Sequence, residues 1–491
     1  MMQVLSGLHP SQAKSVTADR TRILTAAAMA FFVLGSLLLY HVPINDSALF
    51  EYFGQRLTHG AVLYQDLVDN KLPAIFLLNA AYGIILGHNY FLHALLEAAL
   101  TALGILTFAR IVSDDGLPKP GFAALTFAAF LLLRVAFMRG GLNMTEVYAM
   151  LLILASIRLL QRGHVVLAGS AFAVSALFWV PSVFFAGALL YRANSRDNML
   201  RVGLGWLAGL VVSGAVILAA VSARSLLELA GWGRQYEADD IHPSALGLSD
   251  PHMFAYHAYH LVVLGGIGIL VLAALAFVRL PKKQAQWFAW LWVISAFAGA
   301  MVNLRFLIGY HYLVPAVPAL VYFIWSYLPS TVRSRQVALL AIAALLIFPT
   351  LHDLRARIAS IVFIAHESTV NADILRNSLP KGAPVAVFSY APSIFLQSGH
   401  PSVGPFETTL SWLSLTSANL AGYKDALARM RAFDASLPRA SAVVMASPVA
   451  DRTQSRILRL DFIEQCTREV APWKLYVHRG VPSLLCSATR N

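Results

Sequence analysis

Long apolar runs separated by short polar stretches occupy residues 23–351. Ile23 to Val42, Tyr259 to Val278 and Phe306 to Leu328 each reach the length of about 20 residues with which an α-helix crosses a hydrocarbon core about 30 Å thick. Read in full, the pattern predicts about eleven crossings. These are Ile23 to Val42, Phe91 to Val112, Phe122 to Met138, Val147 to Leu160, two short ones within Val165 to Tyr191, Val202 to Val221, Tyr259 to Val278, Trp287 to Val302, Phe306 to Leu328 and Val337 to Leu351. After Leu351 the apolar runs shrink to strand length, as at Pro384 to Tyr390 and Ala442 to Met445, between charged helical stretches. The expected architecture is a polytopic all-α membrane domain over residues 23–351, preceded by a polar stretch 1–22. Residues 352–491 follow as a soluble α/β domain of about 140 residues.

Composition agrees with a lipid environment. Of the 491 residues, 58% are hydrophobic and 13% charged, and mean hydropathy is +0.65, which excludes an ordinary soluble globular protein. The net charge of +12 does not point to a nucleic-acid partner, because the basic residues form no stripe or binding motif. They mark topology instead. The N-terminal stretch carries Lys14, Arg20 and Arg22, shows no clear cleavage site, and is expected on the cytoplasmic side. The loops with Arg110/Lys119, Arg158/Arg162, Arg192/Arg196/Arg201, Arg279/Lys282/Lys283 and Arg333/Arg335 then all fall inside.

This scheme requires that Leu72 to Gly87 does not cross. The segment opens on Leu-Pro, carries Asn79, Tyr82 and Gly83, and is short of a full span, so it is expected to form an interfacial or re-entrant helix on the outer face. Segment 41–90 and the domain 352–491 then lie outside, in the periplasm or beyond. A Cys466–Cys486 disulfide is expected in that oxidising compartment, with two unpaired buried thiols as the alternative.

The first outer segment carries the most chemistry, with Asp46, Glu51, Arg56, His59, Tyr64, Asp66, Asp69 and Lys71. Leu49, Phe50 and Phe53 share one face of an amphipathic helix that starts at or just after Asp46. Taken alone, Asp46 reads equally as the N-cap of that helix and as a functional acid, and Glu51, Asp66 and Asp69 read as solvated loop acids. Lys71, Arg139 and Arg305 fall on the outer side against the positive-inside bias, which asks for another reason to be there. Arg134 stands inside a crossing, where a charge demands a partner or a cavity, and Glu97 in the second crossing is a candidate partner.

An acid just after the first crossing, an aromatic-rich amphipathic helix, and then Gly60-x-x-x-Tyr64-x-Asp66-x-x-Asp69-x-Lys71-x-Pro73 form an ordered pattern. It resembles the membrane glycosyltransferase superfamily with the C-type fold, and within it the bacterial branch related to aminoarabinose, galacturonate and protein mannosyl transferases. Arg139-Gly-Gly-Leu-Asn143-Met-Thr-Glu146 at the start of a crossing, and Arg305-Phe-Leu-Ile-Gly-Tyr310-His311-Tyr312-Leu-Val-Pro315, match that branch in order and sidedness. The resemblance implies transfer of a sugar from a polyprenyl-phosphate donor, with inversion, to an envelope glycolipid, glycan or protein. The reaction would take place at the outer face of a bacterial cytoplasmic membrane. It also implies Asp46 as catalytic base, Glu146 as a second acid, and Lys71, Arg139, Arg305, Tyr310 and His311 around the carrier phosphate. Glu51, Tyr64, Asp69 and Asn143 are candidate donor or acceptor contacts. Two departures stand out: Asn70 occupies the place of an acid, which removes a potential metal ligand, and Leu72-Pro73 replaces a doubled proline.

The chemistry supports these assignments on its own terms. A sugar on a polyprenyl phosphate needs a base for the acceptor hydroxyl and cations for the departing phosphate. Each residue keeps a simpler alternative. Lys71 can anchor a helix at the headgroups, Glu146 can favour a helix N-terminus, and His311 between two tyrosines can belong to an aromatic belt. His242, His252, His257 and His260 with Asp239, Asp240 and Asp250 offer ligands for a divalent cation, but their spacing is not specific and a solvated loop is the simpler reading. No cofactor is otherwise indicated. A transporter or flippase of lipid-linked intermediates would also be polytopic, but it would tend to show internal repeats and polar breaks near mid-membrane, and the sequence shows no repeat. An inactive relative acting as an assembly partner is the third class.

Overall fold

The computed structural model describes residues 10–39, 42–67, 69, 71–87, 89–137, 141–227, 229, 283–304, 314–327, 358–359, 361–366, 368–377, 379–388, 392–404, 435–446, 462–467 and 473–478. The crossings expected at Tyr259 to Val278 and Val337 to Leu351 lie outside the described residues. Helices α1 (Pro10–Leu39), α2 (Asn45–Thr58), α3 (Pro73–Leu86), α4 (Tyr90–Asp114), α5 (Pro120–Phe137), α6 (Thr145–Gln161), α7 (Val165–Phe178), α8 (Ala186–Ala193) and α9 (Arg196–Ala220) follow in order. After these come α10 (Gln284–Leu304), α11 (Ala316–Tyr327) and α12 (Pro392–Ser398).

Local chemistry sets several of the boundaries. Pro73 opens α3, where its missing N–H costs nothing, and Gly87 ends it with φ +64, a conformation glycine adopts without strain. The side chains of Asn89 and Ser195 accept from Leu92 N and Asn198 N, capping α4 and α9. Val165 to Tyr191, expected to hold two short crossings, contains the helices α7 and α8, separated by extended Trp179 and a 3-10 turn, Val180–Phe185, that contains Pro181.

Three stretches among the described residues are long and apolar enough to cross a membrane: Asp19–Leu39, Tyr90–Asp114 and Arg196–Ala220. The first and third bury only 22% of their apolar windows inside the protein. Leu34, Leu38, Leu204, Val211 and Val212 therefore stand outward, an arrangement suited to hydrocarbon and costly in water. Inward, Ala28 and Phe32 of α1 are fully buried, and α1 packs on α4 and α5. Helices α7 and α9 approach through small residues: side chains at Gly169 and Gly205 would collide with Val202 O and Val166 O.

One end of the bundle is closed by charge. Asp115, just past α4, accepts from Arg192 of α8, Gln161 of α6 (3.0 Å) and Tyr322 of α11 (2.5 Å). Asp114 pairs with Arg158, and the Arg192 guanidinium lies 4.8 Å from the Phe288 ring centroid on α10. At the other end lie α2, α3 and the start of α4. There a four-stranded sheet follows the helical residues 361–366 and 368–377. Its strands β1 (Val385–Phe388), β2 (Ala442–Ala446), β3 (Phe462–Thr467) and β4 (Trp473–His478) lie in the order β1-β2-β4-β3, with β1 parallel to β2 and the other pairs antiparallel. Helix α12, which follows β1, packs on α2.

Candidate active site

Helices α2 and α3 lie side by side and run in the same direction. Phe50 meets Phe76 at 5.6 Å between ring centroids, and Phe53 meets it at 5.2 Å. Gly54 abuts Asn79 and Ala80, and Gly83 sits opposite Thr58. Contacts that advance together along both chains define a parallel pair, so both N-termini lie at the same end. Asp46 is in the first turn of α2, after Asn45 at φ +47, and Lys71 stands two residues before Pro73 at the start of α3. An acid, a lysine and two positive helix ends thus share one end of the pair. The cap position of α2 is Ile44, and Asp46 lies within the first turn.

The loop between the helices is built to hold Lys71. Tyr64 is buried with φ +66, and its N–H donates to Leu67 O at 2.7 Å. The Tyr64 hydroxyl donates to Lys71 O at 2.7 Å, and the Lys71 N–H donates to Asp69 Oδ1 at 2.8 Å. Burial, with Asp69 adding to it, pushes the Tyr64 phenol well above its ordinary pKa, so it remains a donor. Asp66 closes the turn by accepting from Val62 N, and Gln65 reaches Ser225 beyond α9.

Behind the pair runs a buried polar network. Asn79 and Asn143 exchange amide hydrogen bonds at 3.1 and 2.6 Å, Tyr148 donates to Asn143 Oδ1, and Tyr82 donates to Tyr148. This fixes the start of α6, where Glu146 is fully buried in the first turn. Glu51 is the clearest correction to the sequence reading. It is not a solvated acid: Ser47 to Gly54 are all buried, with α3 and α12 packed on α2, and Glu51 faces His93 of α4. Burial raises the Glu51 carboxyl above its ordinary pKa, while His93 opposes the rise. Glu97 of α4 is buried as well, and the side chain of Arg134, for which it was a candidate partner, is outside the described residues.

Arg139, Arg305, Tyr310 and His311 are also outside the described residues, as are the His242 to His260 cluster and Cys486. Among the described residues no group of three or more His, Cys, Asp and Glu side chains is arranged to hold a metal ion. A small apolar pocket lined by residues including Ile153, Phe172, Phe185 and Trp292 shares no residue with this region and has no titratable group in its lining.

No protein-family model matches the chain, and no curated protein matches it. Solved structures do. The chain is similar to ArnT from Cupriavidus metallidurans bound to undecaprenyl phosphate, with a TM-score of 0.57 and 14% identity over 92% of this chain and 97% of that one. The chain has the C-type fold. The apo state of the same protein matches with a TM-score of 0.50 and 14% identity over 94% of this chain and 98% of that one. The archaeal oligosaccharyltransferase AglB from Archaeoglobus fulgidus also matches, with a TM-score of 0.47 and 13% identity over 93% of this chain and 74% of that one. Within the C-type fold of this chain, the Glu51–His93–Glu97 group was missed by sequence reasoning because Glu51 of α2 meets His93 of α4 only in the folded chain, across 42 positions.

Proposed function

We propose that this protein transfers a sugar from a polyprenyl-phosphate carrier to an envelope acceptor at the outer face of a bacterial cytoplasmic membrane. The observation that carries this reading is the parallel α2–α3 pair, which leaves Asp46 and Lys71 at one end. The fold adds to it, since ArnT, which shares it, was solved with undecaprenyl phosphate. In this reading Asp46 takes the proton of the acceptor hydroxyl as its oxygen bonds to sugar C1. The C1–O bond to the carrier breaks on the opposite face, which inverts C1, and polyprenyl phosphate departs. Lys71, with Arg139, Arg305, Tyr310 and His311, offsets the charge that grows on the leaving phosphate. Glu146 is the second acid, and Tyr64 and Asp69 hold the Lys71 backbone. The test is transfer of radiolabelled sugar from membrane lipid by wild type and Asp46→Asn. Loss of transfer in an intact, membrane-inserted variant supports the reading, and undiminished transfer removes the base.

A further inference from the structure

The Glu51–His93 contact contains a constraint on protons. His93 Nε2 lies 2.9 Å from Gly87 O, and a carbonyl only accepts, so Nε2 carries hydrogen. The other ring nitrogen, Nδ1, faces Glu51 Oε2 at 3.5 Å, with both side chains 5% exposed. Without a proton on either atom, a lone pair would face a carboxylate in a buried site. One proton between them turns that contact attractive, whichever atom holds it. Glu97 stands one turn beyond His93 on the same side of α4, is equally buried, and its Oε1 has no hydrogen-bond partner among the described residues. Among the described residues the other titratable groups facing this unit are phenols: Tyr82 of α3, 6.0 Å from the His93 ring, Tyr90 of α4 and Tyr148 of α6. Arg376, next to Tyr90, acts on that phenol. Among the described residues no strong cation stands beside these three side chains, and with only those groups present two carboxylates and one imidazole are neutral when two protons are shared among the Nδ1 and carboxylate sites.

We propose that Glu51, His93 and Glu97 form a buried proton-sharing clamp that fixes α2 against α4 and so positions Asp46. The proposal rests on the reading of Asp46 as base, and the three residues act through that helix rather than on substrate. Loss of a proton from the clamp leaves an uncompensated buried charge, which loosens α2. Turnover then falls on the alkaline side, while binding of the lipid donor through the separate Lys71 loop is unchanged. The experiment uses the full-length protein in nanodiscs and follows transfer from a radiolabelled polyprenyl-phosphate sugar against pH in wild type, E51Q, E51A and E97Q. Infrared spectra of the same samples at neutral pH are recorded alongside. Glutamine at 51 can donate to Nδ1 without titrating, so E51Q, with only the Glu97 proton left to lose, should displace the alkaline fall and keep about 10-fold more kcat than E51A at equal donor KM. A carboxylic-acid band present in wild type should disappear or weaken in E97Q. Superimposable pH profiles for wild type and E51Q, or a carboxylic-acid region identical in wild type, E51Q and E97Q, would overturn the proposal. Full transfer by Asp46→Asn removes the base assignment but leaves the infrared result standing, so the two failures are separable.

Discussion

Gly54 on α2 faces Asn79 on α3 so closely that a Cβ on Gly54 would stand 2.5 Å from the Asn79 carbonyl carbon. Backbone cannot yield as a side-chain tip can. Gly54→Ala should force the helices apart and cost about 1–3 kcal/mol. Because the same contact sets the register that aligns Asp46 with Lys71, transfer should fall more steeply than thermal stability in detergent. Thermal unfolding and transfer measured on one preparation check this; a variant with wild-type stability and wild-type transfer would show that the register tolerates a methyl group.

At the opposite end, Asp115 gathers Arg192, Gln161 and Tyr322 from three helices. Asp115 and Arg192 side chains are 9% and 14% exposed, so Asp115→Asn leaves a mostly buried guanidinium without its counter-charge. Breaking one side of such a pair costs about 3–5 kcal/mol. The double variant Asp115→Asn/Arg192→Gln should recover part of that loss, since it removes the orphaned charge as well. Midpoints of thermal unfolding for the two single variants and the double variant make the comparison.

Much of this arrangement was legible as apolar period and punctuation. Pro73 and Gly87 bracket α3, and the stretch Val165 to Tyr191 divides into the short helices α7 and α8. Asp46 and Lys71 stood out because their order along the chain is itself a pattern. The burial of Glu51 was not legible, since its neighbours come from His93 of α4 and from α12, far along the chain. Asn79 and Asn143 likewise pair across 64 positions, and no local period encodes that contact.

The docking of α12 on α2 makes a prediction about sidedness. Tyr52 stacks 5.6 Å from the Phe395 ring, its hydroxyl accepts from Ser402 N, and Tyr90 donates to Leu396 O at 2.8 Å. Residues on that unit should therefore share a compartment with α2. In a background lacking Cys466 and Cys486, cysteines at His59 and Lys381 should react with a membrane-impermeant thiol reagent in intact cells, and one at Arg162 should be protected. Labelling at Arg162 with protection at His59 would invert the scheme and move the proposed chemistry to the cytoplasmic face.

The lysine offers the sharpest kinetic test. If Lys71 meets the leaving phosphate, its charge-assisted contact strengthens as the C1–O bond breaks, and such a contact is worth about 1.5–3 kcal/mol. Lys71→Met should then slow transfer by roughly 10-fold to 150-fold while leaving thermal stability near wild type. Tyr64→Phe separates placement from charge: it removes the 2.7 Å hydrogen bond to Lys71 O but keeps the cation. Its loss should be smaller than that of Lys71→Met, and combining the two should add little, because the tyrosine acts only by aiming the lysine. An interfacial anchor predicts a different pattern, in which Lys71→Arg and Lys71→Met change membrane insertion alike and turnover per inserted molecule stays within about 2-fold of wild type.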